Sequence, residues 1–90
     1  MFGFNKKNRT ILMDVNDVTT VLGFVNHHRQ YDSVRVGNCG WGQEYNTWFV
    51  MFDADDKVYG EIMKGLMKIG KFNLSVRPGG KVDMLFERGT

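Results

Sequence analysis

Residues 47–52 read Thr-Trp-Phe-Val-Met-Phe, apolar from Trp48 through Phe52 without a break. The aromatic and β-branched composition predicts a strand. Side chains alternate along a strand, so Trp48, Val50 and Phe52 share one face while Phe49 and Met51 share the other. Strands in a small antiparallel sheet commonly bury one face and wet the other. This one asks for cover on both.

The remaining pattern sets that strand among other elements. Residues 9–15 alternate, with Ile11, Met13 and Val15 against Thr10, Leu12 and Asp14, and predict a first strand. Asn16 and Asp17 offer cap chemistry to a helix whose apolar stripe is Val18, Val21, Leu22 and Val25, fading by Gln30 or Tyr31. A second strand is expected from Ser33 to Gly37, with Val34 and Val36 opposite Arg35. The glycines of the segment 37–46 predict a loop or a wide hairpin connection into the two-faced strand. Asp53, Asp55 and Asp56 suit the positive end of a second helix, whose buried stripe is Val58, Ile62, Leu66 and Ile69, with Gly70 as its stop. Phe72, Leu74 and Val76 then alternate with polar neighbours, Pro78-Gly79-Gly80 turns the chain, and residues 81–88 return as a hairpin partner.

The order is β-α-β-β-α-β plus an extra C-terminal hairpin strand. It predicts an α+β fold of the ferredoxin-like, split β-α-β kind: an antiparallel sheet with two helices on one face. Ninety residues are enough for a single domain, residues 1–90.

Composition narrows the function more than the fold. A formal charge of +2 is well short of the cation excess of an obligate nucleic-acid binder. The single cysteine, Cys39, excludes an internal disulfide. No run approaches the length of a membrane span and the N-terminus lacks a signal-peptide core, so a cytoplasmic protein without membrane contact is expected, in host cytoplasm if the source is a virus.

Chemistry-bearing groups are sparse. A nucleophile reading of Cys39 needs a base beside it, and neither His27 nor His28 is tied to it by any sequence signature. Adjacent histidines do not share a helix face and make poor joint metal ligands. The spacing of Asp53, Asp55 and Asp56 lacks the glycine and terminal Glu of a calcium loop, and Gly37, Gly40 and Gly42 match no phosphate-binding fingerprint. No catalytic residue, cofactor or metal is therefore expected.

What remains is surface. If Ile11, Met13 and Val15 face the helices, Leu12 points outward; Phe49 and Met51 join it, with Leu85, if Trp48, Val50 and Phe52 point in, whereas a bulge near Asn46 would exchange which of Trp48 and Phe49 is buried. Such an apolar group, rimmed by charge, has the character of a partner or dimer surface, unless Phe2 and Phe4 or the last strand fold over it. Arg35 at its edge and Trp41 and Tyr45 in the glycine segment complete the candidate binding set, since exposed Trp anchors interfaces.

Residues 45–52 also bear on nucleic acid. Their ending, Phe49-Val50-Met51-Phe52, resembles the F-V-x-F tail of the RNP1 octamer of RNA-recognition domains. The resemblance implies base stacking at Phe49. Thr47 stands where that family has a second aromatic, Tyr45 replaces the leading Lys/Arg and Asn46 replaces Gly, so the paired platform is missing. The expected function is a small, non-enzymatic regulatory protein that binds another protein or a second copy of itself, in the manner of viral or mobile-element accessory proteins or inhibitors. The alternatives are a single-stranded RNA or DNA binder using the same face and a small-molecule-sensing dimer.

Overall fold

The computed structural model describes residues 7–29, 34–76 and 82–89, with the backbone alone at 74–76, 82 and 83. Strand β1 (Lys7–Met13) lies at the centre of a five-stranded sheet. A 3-10 turn at Val15–Asp17 leads into α1 (Val18–Arg29), followed by β2 (Arg35–Gly42), β3 (Thr47–Ala54), α2 (Asp56–Leu66), β4 (Gly70–Val76) and β5 (Val82–Arg88). The strand order is β2-β3-β1-β5-β4.

The α+β class with two helices is as expected, but the sheet is mixed rather than antiparallel, and its order departs from the ferredoxin-like one. In that arrangement the strand after α2 would lie beside β1. Here β5 takes the place and runs parallel to β1, with Ile11 opposite Met84 and Met13 opposite Phe86, while β4 is displaced to the edge. Burial gives the reason. Phe86 is fully buried, whereas Phe72 on β4 is only partly so and Lys71 is exposed. The strand with the greater apolar demand occupies the interior, and the hairpin makes β5 antiparallel to β4 and hence parallel to β1.

Both helices cover one face. Ile11, Met13, Val50, Phe52 and Phe86 from the sheet meet Val21 and Val25 of α1 and Val58, Ile62 and Leu66 of α2 in one buried cluster. Each such side chain contributes about 1.5–3 kcal/mol on leaving water. The helices approach closely where the Phe24 ring lies over Gly65; a Cβ there would stand 2.6 Å from the ring.

Several boundaries correct the sequence reading: β1 ends at Met13, so Val15, expected among the helix-facing residues of the first strand, lies in the 3-10 turn and is exposed. Asp14, rather than Asn16 or Asp17, caps the chain after β1, its carboxylate accepting from the Asn16 amide at 3.2 Å. Gly70 opens β4 instead of stopping α2, which ends at Leu66. The glycine segment is strand: β2 continues to Gly42 with a bulge between Val36 and Asn38, so the connection shrinks to residues 43–46. The turn expected at 78–80, the helix end at Gln30 or Tyr31, Ser33, and the cover expected from Phe2 and Phe4 lie outside the described residues. Among the described residues, no helix is long and apolar enough to cross a membrane.

Two arginines lock the ends of the sheet to the helices. At one end Arg9 donates to the Ala54 carbonyl at 3.1 Å and to Asp56 at 2.7 Å, and its guanidinium lies 4.4 Å from the centre of the Tyr59 ring. At the other end Arg88 donates to the buried Asp17 at 2.9 Å and to the Thr20 hydroxyl at 2.7 Å. The Arg9 hydrogen bond, aided by the charge of Lys7, holds the Asp56 carboxyl below its ordinary pKa. A depressed folded-state pKa contributes stability above the unfolded carboxylate value of about 3.9, and that contribution disappears as pH falls through the folded value. Asp56→Asn should therefore flatten the acid limb of the stability curve below about pH 4 in urea melts followed by circular dichroism. Equal slopes in the two proteins would contradict the pairing.

Candidate partner-binding surface at the hairpin end of the sheet

The structure decides the parity of β3 that alternation leaves open: Trp48, Val50 and Phe52 face the helices, and Phe49 and Met51 face away. Leu12, Phe49, Met51 and Leu85 project on the face away from the helices, with Leu12 opposite both Phe49 and Leu85. Their exposure is not as expected. Leu12 is 0% exposed and Phe49 8%, while Met51 and Leu85 are half-buried. These residues form a second, smaller core with Tyr45, so Leu12 and Phe49 do not present the open apolar patch expected of them.

Tyr45 reaches Phe49 because of the β2–β3 turn. The Gly42 carbonyl accepts from the Tyr45 amide at 3.1 Å and from the Asn46 amide at 2.8 Å. Asn46 has φ 57°, the left-handed region that asparagine tolerates best among side-chain-bearing residues. The chain thus turns back over the sheet, and the Tyr45 ring packs edge-on to Phe49 with centroids 5.8 Å apart. Gly42 provides the room: a Cβ there would stand 2.6 Å from the Tyr45 ring and 3.0 Å from that of Phe49. The Thr47 hydroxyl donates to the Met13 carbonyl at 3.1 Å, which ties the base of the hairpin to β1.

Beside this satellite core lies a shallow groove of about 620 Å³ lined by Asn38, Gly42, Gln43, Glu44, Tyr45, Phe49 and Met51. Its lining combines the apolar side chains of Phe49 and Met51 and the Tyr45 ring with the polar Asn38, Gln43 and Glu44. Asn38, Gln43 and Glu44 are additions to the sequence-derived set. They become visible only once residues 37–42 are read as strand, which brings Asn38 opposite Met51.

Trp41 lies on the other side of the same strand. It sits opposite Trp48, whose ring packs on the helix-side core, and the two rings meet edge to face at 6.1 Å. Trp48 is thereby shielded, while Trp41 is 54% exposed. Arg35 is exposed at the far end of β2, opposite Asp53. Edge strand β2 therefore carries a protruding indole on one side and a groove on the other.

The exposed large apolar residues also share a location. Among the described residues they are Trp41, Val15 and Met67. Trp41, Trp48, Met13 and Phe86 form one row across the sheet, Val15 follows Met13, and Met67 precedes Gly70, the partner of Arg88. All three therefore lie at the end of the sheet where β1 finishes and the β2–β3 hairpin turns. Among the described residues, no three His, Cys, Asp or Glu side chains gather where a metal ion would be held. Cys39 is exposed on the edge strand. No protein-family model, curated protein or solved structure matches this chain.

Adding a methyl group at residue 42 tests the packing directly. Gly42→Ala should cost about 1–3 kcal/mol in urea unfolding through overpacking. The cost should shrink in a Tyr45→Ala background, where the clashing ring is gone. A cost unchanged by Tyr45→Ala would show that Tyr45 does not lie over Gly42.

Proposed function

We propose that this chain is a small non-enzymatic binding protein that engages a protein partner, or a second copy of itself, with Trp41 as the anchor and the neighbouring groove as its complement. The observation that carries the reading is the exposure of Trp41. A large indole left in water on an edge strand gains from burial in an interface, where Trp is a common hot spot. Trp48 holds it edge-on, which reduces the side-chain ordering needed on association.

A protein partner fits this surface better than a nucleic-acid strand. Base stacking needs exposed aromatic faces, and Phe49, the stacking position implied by the RNP1-like segment, lies under Tyr45. Among the described residues lining the groove, the charged side chain is Glu44, whose sign opposes phosphate. The apolar surface proposed for binding thus shifts from Leu12 and Phe49 to Trp41, Met51 and the hairpin.

Photocrosslinking tests the proposal. Benzoylphenylalanine placed at position 41 should yield one dominant protein adduct in a lysate of the source cells, whereas the same group at exposed position 57 on α2 should not. Trp41→Ser should weaken capture of that partner by about tenfold or more, the scale of a hot-spot truncation. An adduct of twice the chain mass would identify the partner as a second copy. Equal labelling at the two positions, or nucleic acid as the only adduct, would overturn the reading.

A further inference from the structure

A second surface lies at the opposite edge of the sheet, where α2 gives way to β4. Residues 57–71 hold four lysines and one glutamate, whereas the rest of the chain holds eight cations and nine carboxylates. The entire positive excess therefore resides on this one segment. Lys64, Lys68 and Lys71 are exposed and pair with no described residue. By contrast, Lys7 and Arg9 are matched by Asp56, and Arg88 by Asp17.

Helix-dipole stabilisation explains part of this arrangement, since cations are favoured near a helix C-terminus. It does not explain Lys71, which belongs to β4, nor Met67, which is 60% exposed between these lysines. Met67, Lys68, Ile69, Gly70, Lys71, Arg88 and Gly89 line a groove of about 580 Å³. It combines an adaptable apolar thioether with unneutralised ammonium groups.

We infer that this groove takes an acidic protein segment bearing an apolar side chain, its carboxylates opposite Lys64, Lys68 and Lys71 and its apolar group on Met67. Charge complementarity selects an anionic partner. Met67 selects a protein over a nucleic-acid backbone, because a phosphate strand leaves the thioether without a complement and, among the described residues, no aromatic ring lines the groove for a base to stack on. The surface is separate from the Trp41 site, since β2 and β4 are opposite edges of the sheet.

The test uses the full chain and three fluorescein-labelled probes in anisotropy titrations at low salt: a twelve-residue Glu-Leu repeat, a twelve-residue Glu-Ser repeat, and a twelve-residue oligothymidylate. The Glu-Leu peptide should bind most tightly and weaken as salt rises. A Lys68→Glu/Lys71→Glu double substitution should weaken both peptides by about tenfold or more. Met67→Ser should reduce the preference for Glu-Leu over Glu-Ser by about threefold, and Trp41→Ser should change none of these affinities. The inference is overturned if the Glu-Leu peptide does not bind, if the charge reversals leave its affinity unchanged, if Met67→Ser leaves the preference intact, or if oligothymidylate binds more tightly than either peptide.

Discussion

The architecture depends on the requirement that β3 bury large side chains on both faces. Trp48, Val50 and Phe52 point toward the helices, and Phe49 and Met51 point away. A one-residue slip against β1 or β2 would exchange these sets. The Leu12–Phe49 pair and the Trp41–Trp48 pair, on opposite faces, both fix the register. Two helices satisfy the first face. On the second, the β2–β3 turn folds Tyr45 back over Phe49.

That solution determines what is left for function. Had the reverse face remained open, Leu12 and Phe49 would have been its centre. With Leu12 and Phe49 buried, the large apolar residues exposed among those described are Trp41, Val15 and Met67, all at one end of the sheet. The same end carries the Arg88 tie to Asp17 and Thr20, and Trp41 is itself held by the β2–β3 pairing and the Trp48 ring. A fastened surface loses less freedom on binding than a loop does, which suits a recognition role.

Much of this was legible in the sequence because periodicity reports burial. The alternation in β1 paired Ile11 with Met13 against Leu12, and the stripes of α1 and α2 gave their buried sides, whereas alternation left open which face of β3 is buried until the structure put Val50 on the helix side and Phe49 on the other. The strand order was not legible, because alternation in β4 and β5 looks alike. Only the full burial of Phe86 distinguishes the inner strand from the edge. The glycine segment misled because Gly37, Gly40 and Gly42 are usually turn residues, whereas here they serve a bulged edge strand and a close ring approach. Tyr45, expected at a binding surface, is instead buried against Phe49, and its fold-back depends on the left-handed Asn46, a conformation that no periodicity encodes.

The asymmetry between the two tryptophans tests the central claim most directly, namely that Trp41 stands exposed on the edge strand while the Trp48 ring beside it packs on the helix-side core. Acrylamide quenching of single-tryptophan proteins reads it without knowledge of any partner. In Trp48→Phe the remaining Trp41 should emit at long wavelength and be strongly quenched. In Trp41→Phe the remaining Trp48 should emit at shorter wavelength and be protected. A Trp41 as shielded as Trp48 in the monomer would contradict the account.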